Sequence, residues 1–182
     1  MPSENGRLSE LRNDTVINVA KLLQEPFGAR RTYRLHIDAF PLDEELRAEA
    51  IGGEVKLTRL RDGIIVDVSA HGRVELECVR CLRPYDQGFL TEFAEEYRQT
   101  VDVRTGVGLA AGDEVEHEQF EINEKHELDL RELLRQEIVI ALPMRADCGA
   151  ECPGPDAINN GDAAGDERFA ALSRLLDEDR IR

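Results

Sequence analysis

The chain has 182 residues, 41% of them hydrophobic, with a formal charge of −15 and a pI near 4.7. That length suits one domain with a real core over residues 1–182, and the charge excludes a protein that grips nucleic acid with a broad basic surface. Any contact with RNA then has to come from a local basic patch or through a basic protein partner. No apolar run is long enough to span a membrane, and Met1-Pro2-Ser3-Glu4-Asn5 is not a charged region followed by an apolar stretch. The expectation is a cytoplasmic, reducing location with no membrane association.

Residues 1–12 are polar and expected to form a flexible arm. Asn13 or Asp14 is placed to cap a helix near residues 14–24, carrying Val16, Ile17, Val19, Ala20, Leu22 and Leu23 and ended by Pro26 and Gly28. Tyr33, Leu35 and Ile37 alternate with polar residues, which predicts a strand over 31–37, whereas 41–50 fits neither period. From Glu54 to about Arg98 the pattern is a β-meander. Val55, Leu57 and Leu60 face inward on its first strand, and Asp62-Gly63 marks a hairpin. Ile64, Val66 and Val68 form the next strand and Val74, Leu76 and Cys78 a third; Phe89, Thr91 and Phe93 share a face of the fourth.

Residues 102–118 are rich in glycine and acid, and are expected to form a mobile loop. Its Asp113, Glu114, Glu116, His117 and Glu118 lack the alternating oxygen ligands of a calcium loop. A short strand at Phe120-Glu121-Ile122 precedes a helix over 129–142, where Leu130, Leu133, Leu134, Ile138 and Leu142 repeat at helical spacing before Pro143. Asp166 can cap a last helix bearing Phe169, Leu172, Leu175 and Leu176. The fold class expected is α+β: a curved antiparallel β-sheet packed by two or three helices.

The most specific chemistry lies in two cysteine pairs, Cys78-x2-Cys81 and Cys148-x3-Cys152. Each pair can hold one side of a tetrahedral cation, so together they suit a single structural zinc. Zinc ribbons usually keep their pairs closer in sequence, so this arrangement needs a folded insert and would act as a clasp between distant segments. Disulfides and unligated thiols are the competing readings, the first disfavoured in a reducing compartment. A thiol-based redox enzyme or sensor using Cys78 and Cys81 is the alternative function. It calls for a strand running into a helix, but Pro84-Tyr85 follows the pair here.

Arg80 and Arg83 flank the first pair, Arg73 precedes it, and Arg145 precedes the second. They either balance the charge of a thiolate-bound zinc through N–H···S bonds or form a small basic face for RNA or a partner. Arg30, Arg31 and Arg34 read as an ordinary charged edge strand. The chain lacks a nucleophile elbow, a phosphate-binding glycine loop and an H-E-x-x-H helix, so neither a catalytic site nor a small-molecule substrate is evident.

In order, Asn18–Gly28, Cys78-Val79-Arg80-Cys81-Leu82-Arg83-Pro84-Tyr85, Leu128–Glu132 running to Ala141–Met144, the second cysteine pair and Asp166–Leu172 resemble the YceD family of bacterial proteins. Family members often continue the second cluster with further cysteines. Pro155-Asp156 stands there in this chain, which leaves thiols for one metal ion. The resemblance implies a non-enzymatic role in the synthesis, processing or stability of large-subunit ribosomal RNA. Its implied partner is that RNA, or a basic ribosomal protein on a precursor particle.

Overall fold

The computed structural model describes residues 9–109 and 120–154. Ten elements follow in chain order: β1 (Ser9–Arg12), β2 (Val16–Asn18), α1 (Ala20–Gln24), β3 (Arg30–Pro41), β4 (Arg47–Arg59), β5 (Gly63–Glu77), β6 (Pro84–Gln99), β7 (Phe120–Ile122), β8 (Glu127–Asp129) and α2 (Arg131–Ala141). Six strands form one open sheet in the order β1-β3-β4-β5-β6-β7, and β2 pairs with β8 in a small second sheet. The central pairs are antiparallel, as the sequence predicts. The outer pairs, β1 with β3 and β6 with β7, are parallel, so the sheet is mixed at its edges.

The core follows from alternation. Val55 and Leu57 on β4 stand opposite Val68 and Val66 on β5, and all four are buried on one face. That face continues onto β6 through Phe89, Thr91 and Tyr97. α2 lies against β6 and presents Leu133, Leu134 and Ile138 to this surface. The sheet bends where the β4–β5 register slips between Glu49 and Gly52, beside Ala50 at φ 50°. Across this bulge Ala48 and Ile51, three apart, are both buried, which simple alternation forbids.

Three expectations need correction. Residues 14–18 are not helical: Thr15, Ile17 and Val19 are buried at period two, and Ile17 pairs with Leu128 of β8. The β-branched run Thr15-Val16-Ile17 favours a strand, and the Asp14 carboxylate accepts the Val16 amide at 3.0 Å in a turn instead of capping a helix. The second and third meander strands are one strand, β5, which passes through Gly72 without a break. A Cβ at Gly72 would lie 2.8 Å from the Phe89 ring, so the glycine admits that ring instead of marking a turn. Ser9–Arg12, at the end of the polar arm, forms the edge strand β1.

The helix over 129–142 is found as α2, and residues 41–50 complete the β3–β4 hairpin. Of 102–118, the described part makes a turn in which Asp102 accepts the Arg104 and Thr105 amides. The remainder, the arm 1–8 and the helix expected after Asp166 lie outside the described residues. Among the described residues no helix is long and apolar enough to cross a membrane.

Asp129 ties the layers together. Its carbonyl accepts the Tyr97 hydroxyl at 2.9 Å, and its carboxylate takes the Thr15 hydroxyl at 2.8 Å and the Arg131 amide at 2.9 Å. Gly53 marks the tightest backbone approach, since a Cβ there would stand 2.1 Å from the Ser69 carbonyl oxygen on β5. Gly53→Ala should therefore cost more than about 2 kcal/mol in chemical denaturation. Gly108→Ala, where a Cβ meets nothing within 4 Å, should unfold like the parent.

Candidate metal centre

β5 and β6 pair from Gly63 opposite Arg98 to Glu77 opposite Pro84, and the first cysteine pair forms the tip beyond them. The tip closes on itself. The Cys78 amide donates to the Arg83 carbonyl at 3.0 Å and the Leu82 amide to the Cys78 carbonyl at 2.8 Å, with Leu82 at φ 55°. The second pair follows α2, where Pro143 halts the helix. There the Cys152 amide donates to the Gly149 carbonyl at 3.1 Å, and Gly149 takes φ 99°. One backbone bond joins the two turns directly, from the Val79 amide to the Ala146 carbonyl at 2.9 Å.

The four sulphurs converge. Cys78 Sγ lies 3.8 Å from Cys152 Sγ, Cys81 Sγ lies 3.8 Å from Cys148 Sγ, and all four lie within 4.8 Å of one another. No disulfide links them, and the 3.8 Å separations are well beyond a bond length of about 2.05 Å. A tetrahedral ion with metal–sulphur bonds of about 2.3 Å requires sulphurs about 3.8 Å apart. Two of the separations have that spacing and the others lie within 4.8 Å, so the donor set fits a four-thiolate cation with a small inward shift.

The electrostatics separate the thiols. The Cys148 amide, donating to Cys78 Sγ at 3.5 Å, and then the Cys81 and Arg80 amides bring Cys78 down to about 6 against the effect of burial. Cys148 is pushed up to about 12 by its hydrogen bond to Cys152 and by burial. At Cys81 the Arg83 amide pulls downward, yet burial and the Cys78 thiol leave the group raised. Four thiolates cannot crowd together without a cation, and a bound metal ion displaces the protons that hold the others neutral.

The arginines divide. Arg80 pairs with Asp147 at 3.6 Å, and Asp147 is held below the usual carboxylate range by the Gly149 amide and by the nearby Arg80 and Arg145. Arg83 sits on the same tip. Arg73 is remote from the clasp: it pairs with Glu49 at 2.9 Å, five residues back along β5 from Cys78. Backbone amides, that of Cys148 first among them, supply the N–H···S bonds to Cys78, whereas the Arg80 side chain binds a carboxylate. Sequence reasoning missed Asp147, although its place between Arg145 and Cys148 is a usable signal.

Comparison with protein families supplies the decisive match. The family model described as "Large ribosomal RNA subunit accumulation protein YceD" covers residues 66–176, including both cysteine pairs and α2. The chain belongs to the YceD family. No curated protein and no solved structure matches it. The Asn18–Gly28 segment, part of the resemblance in the sequence, precedes the matched range, so the YceD match rests on β5, β6, α2 and the clasp.

Adding Co2+ to metal-free protein should produce the visible absorption of a tetrahedral cobalt–thiolate centre and release protons at pH 7, because Cys148 gives up its proton to ligate. Cys81→Ser should abolish both signals. Cobalt uptake without the tetrahedral spectrum would mean that the cysteines do not act as one ligand set.

Proposed function

We propose that this protein is a non-enzymatic, cytoplasmic accessory in the synthesis, processing or stability of large-subunit ribosomal RNA, folded as a single domain around one structural zinc. The observation that carries the reading is the family match over residues 66–176, which spans both halves of the four-cysteine cluster. Zinc is the cation of choice because a closed all-thiolate site leaves no open position for substrate or water. Cys78, Cys81, Cys148 and Cys152 would fasten the segment after α2 to the end of the long hairpin. Metal binding would then contribute directly to folding.

The partner is ribosomal RNA itself or a basic ribosomal protein on a precursor particle. Arg80, Arg83 and Arg145 surround the clasp and can meet a phosphate backbone there. Arg73 would contribute from farther along β5, in competition with its bond to Glu49. Redox use of Cys78 and Cys81 draws no support from the geometry. Cys78 follows the end of β5 and opens a turn instead of leading into a helix, and its sulphur lies 3.8 Å from that of Cys152.

Purified protein should contain about one zinc per chain, and Cys148→Ser should lose the metal and unfold at a markedly lower temperature. Metal-free protein with an unchanged melting temperature would remove the structural role. In gradient sedimentation from its own cells, the tagged protein should co-migrate with large-subunit precursor particles, and RNase should release it if the contact is RNA. Recovery only at the top of the gradient, after gentle crosslinking, would remove stable particle association.

A further inference from the structure

Three arginines and an exposed aromatic ring meet at the other end of the β5–β6 hairpin from the clasp. A groove of about 590 Å³ runs between the Pro26-Phe27-Gly28 turn, the β4–β5 turn and the turn at Asp102. Phe27, Arg59, Arg61 and Arg104 line it. The turn bearing Phe27 is held firmly, with the Gly28 amide donating to the Arg59 carbonyl at 2.8 Å and the Arg59 amide to the Ala29 carbonyl at 2.9 Å.

Arg59 is only 7% exposed, although it ends a strand whose buried face is otherwise apolar. One guanidinium nitrogen donates to the Gly63 carbonyl at 3.1 Å, and the group stands 5.7 Å from the Phe27 ring centre. Its Nε is buried with no hydrogen-bond partner among the described residues. Burying a cation without a bonded carboxylate is costly, so the position favours an anion alongside. Burial lowers the basicity of Arg59, and the fields of Asp62 and Asp102 oppose that.

Two carboxylates line the groove: Glu25 is paired with Arg31 outside it, and Asp102 keeps its charge, bonded to amides and a hydroxyl of its own turn. Asp102 accepts the Arg104 amide at 2.9 Å, the Thr105 amide at 2.8 Å and the Thr105 hydroxyl at 3.0 Å. Three guanidiniums therefore gather in a chain of charge −15, beside a ring that is 68% exposed. A cationic groove with a stacking ring suits a strand whose bases are free. A duplex keeps its bases stacked on one another, and a phosphopeptide has no use for the ring.

We infer that this groove binds single-stranded RNA, with a backbone phosphate among Arg59, Arg61 and Arg104 and an adjacent base stacked on Phe27. The inference rests on the RNA role proposed above and gives it a binding site distinct from the arginines of the clasp.

The test is fluorescence anisotropy of the full zinc-loaded chain with a labelled single-stranded oligoadenylate and with an RNA duplex of equal length. Arg61→Ala/Arg104→Ala changes two exposed side chains. It should weaken single-strand binding about tenfold or more and reduce the salt slope by about 0.7, the value for the one phosphate left without those arginines. Phe27→Ala should weaken single-strand binding about tenfold and leave duplex binding unchanged. Circular dichroism of each variant should match the parent, which separates weakened RNA binding from a damaged fold.

Parent-like affinity in these variants, with the loss appearing instead in Arg80→Ala/Arg83→Ala, overturns the groove and leaves the RNA role standing. A parent protein that sediments with precursor particles yet ignores both probes also overturns the groove, and points to attachment through a ribosomal protein. If it neither binds RNA nor sediments with particles, the groove and the proposed role fail together.

Discussion

The unbroken pairing of β5 with β6 is the constraint on which the other parts depend. It fixes β4 on one side and the short β7 on the other, and it offers α2 the surface that buries Leu133, Leu134 and Ile138. At its tip it sets out two thiols on a rigid turn. At its base it sets Ile64 opposite Tyr97, whose hydroxyl reaches the Asp129 carbonyl and so fastens the helix layer. A single long hairpin thus does the positioning that larger domains divide among several elements.

The clasp completes that arrangement chemically. Cys81 and Cys148 are 67 positions apart, and α2 carries the chain back along β6 to bring them together. The Val79–Ala146 backbone bond and the Arg80–Asp147 pair set the two turns against each other, so the sulphurs need little further ordering to receive a cation. Placing the ligands in advance in this way lowers the entropy lost on binding.

Residue patterns carry the fold far but unevenly. Alternation in β3, β5 and β6 and the leucine spacing of α2 were plain, because each element buries one face. Thr15–Val19 misled because Ile17, Val19 and Leu22 fit a helix as well as a strand over so short a run, and only the partner strand β8 decides between them. The bulge at Ala50 left no mark in composition, which is why 41–50 matched neither period. The four cysteines were legible by type and spacing alone. The arginine groove was not, since its side chains come from segments far apart in sequence that backbone pairing brings together.

The length of the hairpin has a consequence for scale. At about 3.4 Å per residue, the path from Gly63 to Glu77 approaches 50 Å, less whatever the coiling of the strands takes back. The clasp and the arginine groove lie at its two ends. A few nucleotides can reach one of them but not both. Contact with both ends at once needs a ligand of nanometre dimensions, either a folded particle or a long extended strand.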